Sequence, residues 1–348
     1  MQQPLESYLP RLATLTFQEK LGSMLDKSQR IEKLVASVAP LLGVDGERRQ
    51  LAEQAARLCK TDLVTSMVVE MTSLQGILGE IYALRGGAHA DVALALREHY
   101  LPRYPGDATP TQELGRLLGI ADRLDSLAGL FSIGLKPTGS ADPYGLRRTA
   151  LGLVALLVEG KVPLDLGPLL KEAIGLQPIP CDAEKVAQDV LAFIQDRLLI
   201  WLKDQGLRHD VVEAAVSARG QDPYGAWQSA QGLQEAVQRP DWTGLLQSYS
   251  RCGRITKDLQ PLALCPERYT EPEVAQLFDV LRGLPSANGD VGQLVAALEK
   301  LQPAIQAFFD GVLVNDPDLE IRKARQALVQ AVVAQARGIA DLSKLEGY

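Results

Sequence analysis

Apolar positions along most of the chain recur three and four residues apart, the repeat of a helix with one buried face. Between Val186 and Leu202 they fall at Val186, Val190, Phe193, Ile194, Leu198, Trp201 and Leu202. Asp182 is placed to cap that helix and Gly206 to end it. A second start signal lies at Asp316-Pro317-Asp318, with Asp316 as cap, proline at the first helical position and acids in the first turn. Ile321, Leu328 and Val332 then mark a buried stripe. Thr111–Phe131 and Val291–Phe309 carry the same periodicity, and no run alternates as a strand would. The pattern predicts an all-α fold. Asp-Pro-Tyr-Gly occurs at Asp142–Gly145 and again at Asp222–Gly225, but the flanks differ, so these are two helix-start turns rather than a repeat.

The stretch Gly160–Pro180 holds Pro163, Pro168, Pro178 and Pro180 with Gly167 and Gly175 between them. It predicts a short helix between connectors and a domain boundary near residue 175, dividing 1–175 from 176–348. A chain of 348 residues is long enough for two domains. A second irregular stretch, Leu259–Pro272, links helices within the second half. With 46% apolar and only 5% aromatic residues, the core is built from Leu and Ala, which suits helices better than strands.

The net charge of −7 argues against a generic polyanion binder but leaves room for a local basic patch. Cys59, Cys181, Cys252 and Cys265 form no C-x-x-C pair, and His89, His99 and His209 are scattered without partners by spacing. A reducing, cytoplasmic setting is therefore expected, with no disulfide framework and no metal site. No stretch reaches the ~18 apolar residues of a membrane span, and the first residues lack the pattern of a signal peptide. No Ser-His-Asp or Cys-His arrangement suggests nucleophilic catalysis, and Trp201, Trp227 and Trp242 are expected in the core.

Lys27 in an amphipathic run, then Lys60-Thr61-Asp62, then Asp122 follow the order of the HD superfamily, all-helical metal-dependent phosphohydrolases, which they resemble. That family holds its metal with a His, a His-Asp pair and a later Asp. Asp122 matches the last position, and Lys27 stands where the first His would be. Either Lys60-Thr61 or Thr61-Asp62 stands at the His-Asp pair. Neither register supplies a histidine, and a lysine ammonium has no lone pair for a cation. The expectation is an HD-like bundle without metal ligands, in which Asp122 and Asp125 are solvated or Arg-paired.

Three basic clusters invite an anion. The loop Gly134–Ser140 with Lys136 precedes the helix start at Asp142, and Arg147 and Arg148 follow. It lacks P-loop spacing, and Asp142 would compete with an anion, so a rigid turn with surface arginines is the alternative. Arg251, Arg254 and Lys257 recur three apart after Tyr249, a stripe that could grip phosphates or stack on a base, or simply face solvent. Arg322, Lys323 and Arg325 form the third, with the same alternative.

Several stretches together resemble the bacterial glycyl-tRNA synthetase beta subunit family. They are Phe17–Ser28 (FQEKLGSMLDKS), Glu70–Gly79 (EMTSLQGILG), His99-Tyr100-Leu101-Pro102-Arg103, Ala121–Asp125 (ADRLD) and Gly134–Arg148 (GLKPTGSADPYGLRR). Phe308–Val314 (FFDGVLV) and Asp341–Leu345 (DLSKL) extend the likeness from about residue 9 to the end. The family's beta subunit is longer, and the resemblance covers its C-terminal half. It implies an HD-like domain without metal ligands at 1–175 and a helical anticodon-binding domain at 176–348. It also implies glycine tRNA as ligand and an alpha subunit as partner in an alpha2beta2 assembly. ATP and magnesium are expected at the alpha subunit, where aminoacylation takes place, with no cofactor on this chain and neither membrane nor DNA as partner. Arg251 matches the family's basic position, whereas Arg254 stands where its helix motif has Asn. The rival expectations are an HD-type phosphohydrolase and a non-catalytic assembly scaffold.

Overall fold

The computed structural model describes residues 4–285 and 289–348. Its contacts divide it into two compact units, Met1–Trp201 with Gln221–Tyr224 and Leu202–Gly220 with Gly225–Tyr348. Helices dominate both, as the periodicity predicts.

In the first unit a hairpin of β1 (Thr16–Gln18) and β2 (Gly22–Ser23) leads into α1 (Met24–Leu41). The pattern of alternation missed this hairpin because strands of two or three residues are too short to alternate. Ser23 Oγ accepts the Asp26 amide at 3.2 Å while the Asp26 carboxylate accepts the Ser23 amide at 2.7 Å. This reciprocal cap fixes where α1 begins and turns Lys27, Arg30, Ile31 and Leu34 inward. Gly22, at φ +90°, makes room for it, since a side chain there would meet Asp26 Oδ2 at 2.5 Å.

Next come α2 (Gly46–Leu58), α3 (Ser66–Glu70), α4 (Ile77–Arg85), α5 (Ala90–Glu98) and α6 (Glu113–Ser132). Beyond them lie α7 (Leu146–Glu159), α8 (Leu166–Gly175) and α9 (Ala183–Asp204). The central element is α6, which packs against α1, α2, α5, α7 and α8. It carries Leu, Ala or Gly on nearly every side, so it is buried all round rather than on one stripe. The short helix expected in the Gly160–Pro180 connector is α8, and Leu166, Leu170 and Ala173 bury it within this unit. For α9, Asp182 Oδ1 accepts the Lys185 amide at 3.1 Å, and Gly206 follows the last turn at φ +82°.

Arg123 of α6 ties α5 to this centre. Its guanidinium donates to the carbonyls of His99 and Gly119 at 3.0 Å, Leu101 at 2.9 Å and Pro102 at 3.0 Å. Gly119 lies one turn back within α6 itself, whereas the carbonyls of His99, Leu101 and Pro102 lie at the end of α5 and in the turn beyond it, where no helical amide can reach them. Gly152 of α7 makes the approach possible, because a Cβ there would lie 2.8 Å from Arg123 Nε.

The second unit contains α10 (His209–Arg219), most of α11 (Pro223–Ala236), α12 (Trp242–Thr256), α13 (Pro272–Arg282), α14 (Val291–Gly311) and α15 (Leu319–Val333). Leu301, Ile305 and Phe308 of α14 meet Leu328 and Val332 of α15, with Cys252 and Leu277 closing the core. The cap of α15 is Asp318, not Asp316: Asp318 Oδ1 accepts the amides of Glu320 and Ile321. Asp316 is diverted to an ion pair with Arg325 at 2.8 Å. Among the described residues, no helix is long and apolar enough to cross a membrane.

Candidate functional site

The first constellation is a buried ion-pair cluster in the first unit. Lys27 Nζ lies 2.9 Å from Asp122 Oδ1 and 3.0 Å from Asp125 Oδ2. Lys60 Nζ lies 2.8 Å from Asp122 Oδ2. Both ammonium groups also sit over aromatic rings, Lys27 over Phe17 at 4.6 Å and Lys60 over Tyr100 at 4.3 Å. Asp125, fully buried, takes Arg30 Nε at 2.6 Å as well. Of the two carboxylates, Asp125 is therefore Arg-paired rather than solvated.

The structure also separates the two registers left open at residues 60–62. Lys60 is the one that reaches Asp122. Asp62 turns away, and its Oδ2 accepts the Gly76 amide at 2.6 Å. Burial raises the Asp62 carboxyl, against the opposing pull of that amide and of Lys60. Thr61 is fully buried, and its Oγ1 finds no partner among the described residues.

His99, to which spacing assigned no partner, belongs to this cluster. Its Nδ1 faces the Leu96 carbonyl at 2.9 Å, which fits an N–H donor there and leaves Nε2 to accept from Lys60 Nζ at 3.0 Å. Burial, reinforced by the Lys60 charge, holds the imidazole well below its usual range, so it stays neutral at pH 7. Burial alone would raise Asp122, but Lys27 and Lys60 outweigh it and hold the carboxyl well below the usual carboxylate range. The residues do not fit a divalent metal: both Asp122 oxygens already face ammonium groups, and the His99 imidazole beside them accepts from one of those ammonium groups.

Sequence reasoning also missed Arg30 and Gln177, whose amide donates to Asp125 Oδ1 at 3.2 Å. The sole signal was the inward phase of Arg30, three residues after Lys27 on α1.

The basic clusters fare differently from one another. Lys136 pairs with Asp189 at 2.5 Å. Arg147 donates to the carbonyls of Gly139 and Ala141, bracing its own loop. Asp142 accepts the amides of Leu146 and Arg147 at 2.8 and 2.9 Å, so the amides that an anion would need are taken. Arg148 is exposed and stays near Gly145. In the third cluster, Arg325 is 7% exposed and held by Glu271 at 2.6 Å and Asp316 at 2.8 Å. Arg322 donates to the Asp316 carbonyl at 2.8 Å, and Lys323 pairs with Glu320 at 3.3 Å.

Arg251, Arg254 and Lys257 stand apart. All three are exposed, and none has a carboxylate partner among the described residues. Arg251 rests over the Phe309 ring at 4.4 Å and Arg254 lies 5.9 Å from the Tyr348 ring. An aromatic face positions a guanidinium without neutralising it, so its hydrogen-bonding edge stays free.

The fold and these clusters define a chain of the all-α class, its one short hairpin among the described residues aside, with an ion-paired buried centre in one unit and an unneutralised cationic stripe in the other. The family model "Glycyl-tRNA synthetase beta subunit" matches residues 1–217. The chain is 37% identical over 349 residues to the glycine–tRNA ligase beta subunit of Desulforudis audaxviator, covering 98% of this chain and 51% of that protein. It is 36% identical over 357 residues to the subunit of the same name from Moorella thermoacetica, covering 99% of this chain and 51% of the relative. With that of Paracoccus denitrificans the identity is 37% over 350 residues, covering 97% and 50%. The chain belongs to the glycyl-tRNA synthetase beta subunit family. It spans about half the length of the curated relatives it matches.

Proposed function

We propose that this chain is the tRNA-binding portion of a glycine–tRNA ligase beta subunit. In this reading it positions glycine tRNA and reads its anticodon, while aminoacylation with ATP and magnesium takes place on a partner alpha subunit in the cytoplasm. The observation that carries it is the stripe of Arg251, Arg254 and Lys257, unpaired in a chain of net charge −7 whose other basic clusters are largely tied to carboxylates or carbonyls. Three like charges one helical turn apart repel one another locally, and the phosphates of a bound polyanion would offset that repulsion.

The work assigned to the chain is positioning rather than bond-making. Guanidinium groups hold phosphates, and unstacked bases lie within reach of side chains of the second unit. The first unit, read as an HD-like domain without metal ligands, serves as a rigid body: Lys27 and Lys60 fill the cluster with fixed charge. Metal-dependent hydrolysis would need Asp122 open to a cation, and both of its oxygens are already engaged. The scaffold reading leaves the unpaired stripe without a use.

The test is the double variant Arg251→Glu/Arg254→Glu, titrated with glycine tRNA at low salt. Loss of affinity by tenfold or more with an unchanged melting transition is the expected result, at roughly 1.5–3 kcal/mol for each charge-assisted contact. Unchanged affinity would overturn the assignment.

A further inference from the structure

Arg251 and Arg254 lie one helical turn apart on α12, and each guanidinium faces an aromatic ring. The two rings come from different places. Phe309 belongs to α14, whereas Tyr348 arrives on a segment, 341–348, that packs across α10 and α12. Leu342 and Leu345 of that segment are buried. Its backbone is tied to α10: the Asp341 amide donates to the Ala214 carbonyl at 2.9 Å, and the Glu346 amide to Asp210 Oδ2 at 3.0 Å. Glu346 also pairs with Arg208 at 3.1 Å. The segment is thus a strap with fastenings of its own, apart from Tyr348.

Two glycines admit the Tyr348 ring. Gly347, at φ +92°, turns the chain where an L side chain would be strained. Gly253, inside α12, leaves a notch: a Cβ there would collide with the Tyr348 hydroxyl and lie 3.0 Å from its Cζ. Glycine within a helix costs stability relative to alanine, and the seated ring offsets that cost. Tyr249 meets the ring edge-on, with centroids 6.3 Å apart, and its own hydroxyl donates to the Val333 carbonyl at 3.0 Å. The guanidinium of Arg254 lies 5.9 Å from the Tyr348 ring and has no hydrogen-bond partner among the described residues.

The two leucines anchor the strap without the ring, and Tyr348 itself stays only half-buried. What the ring adds is a fixed aromatic face next to Arg254. A free arginine side chain surrenders rotamer freedom when it grips a phosphate, and one already held against a ring surrenders less. Arg251 and Arg254 also repel each other at this spacing, and separate rings give each its own place. We propose that Tyr348 is a positioning residue: seated in the Gly253 notch, it holds Arg254 in the geometry that grips a phosphate of the tRNA backbone. The proposal rests on the tRNA-binding reading above and gives the strap a role in it.

The experiment titrates the full chain with glycine tRNA at low salt, as wild type and as Tyr348→Leu, Tyr348→Phe, Gly253→Ala and Arg254→Ala. Tyr348→Leu is expected to weaken binding about two- to fivefold, the scale of one cation–π contact at an exposed site. Tyr348→Phe keeps the ring and is expected to bind as the wild type does. Gly253→Ala favours the helix but fills the notch, so it is expected to show the same loss as Tyr348→Leu without a lower melting transition. In the Arg254→Ala background, Tyr348→Leu is expected to cost nothing further, because Tyr348 acts only through Arg254. Wild-type affinity in Tyr348→Leu would overturn the proposal. So would a full additional loss in the Arg254→Ala background, or a loss in Tyr348→Phe equal to that in Tyr348→Leu. In each of these cases tRNA binding by the wild-type chain leaves the proposed function standing. If the wild-type chain binds no tRNA, the proposed function falls and this proposal with it.

Discussion

Lys60 and Asp122 meet at 2.8 Å, with their side chains 5% and 15% exposed, and this contact closes one side of the cluster at the centre of the first unit. Lys27 closes the other at 2.9 Å. Two ammonium groups thus stand at the two oxygens of one carboxylate. Lys60→Met leaves Asp122 with a single partner and is expected to destabilise the unit by about 3–5 kcal/mol. Adding Asp122→Asn removes the stranded charge and should restore part of the loss. Urea unfolding of the two single variants and the double variant reads the coupling, and simple additivity would contradict it.

His99 gives the cluster a pH signature. Its folded pKa lies well below the ordinary value near 6.5, chiefly through burial. The neutral form is what folds, so this contribution is complete above about pH 6.5 and is lost progressively as pH falls below it. Asp122 and Asp125 are held low by their cationic partners, so their contributions persist down to about pH 3.9 and fade only below it. His99→Gln should flatten the decline in stability between about pH 6.5 and 5 and leave the acid-side loss in place. Melting temperatures recorded across pH 4–8 check this, and an unchanged slope between pH 6.5 and 5 would refute it.

Arg123 is a second fixed point. Burial lowers its pKa to about 10, against the opposing field of Asp122, so it remains charged at neutral pH. Its guanidinium fork serves carbonyls at the end of α5 and in the following turn. Arg123→Lys keeps the charge but cannot present a planar fork to all of them. A loss of about 2–3 kcal/mol in chemical denaturation is expected, and a loss under about 0.5 kcal/mol would show that the fork is dispensable.

Two arginines of the second unit should respond in opposite ways. Arg251 is exposed over Phe309, so Arg251→Ala should weaken tRNA binding by about 1–3 kcal/mol and leave the melting temperature unchanged. Arg325 is buried between Glu271 and Asp316, so Arg325→Ala should lower stability by about 2–4 kcal/mol. Parallel melting and binding curves for the two variants separate the roles, and a reversed pattern would contradict them.

Helices were legible in the sequence wherever one stripe carried the burial. The helices at 183–204 and 291–311 follow their apolar repeat, and Gly206 follows the end of the first as its residue type predicts. The cap of α15 was misplaced by two residues because Asp316 and Asp318 are equivalent by type, and only the distant Arg325 decides between them. The buried cluster was legible in its members Lys27, Lys60 and Asp122, through family motifs rather than local pattern. His99 and Gln177 were not legible there. They join the cluster through tertiary contacts from α5 and from the end of α8, and no spacing rule encodes that meeting. In the same way, nothing in the residue types of Arg251 and Arg325 tells a free guanidinium from a buried one; burial and a carboxylate partner do.

The account stands most directly on one titration: the chain with glycine tRNA and with the same tRNA carrying an altered anticodon, at two salt concentrations. Tighter binding of the native anticodon at both salts, with affinity for each falling steeply as salt rises, is the predicted result. Equal and weak binding of both tRNAs, with no loss on raising the salt, would contradict it.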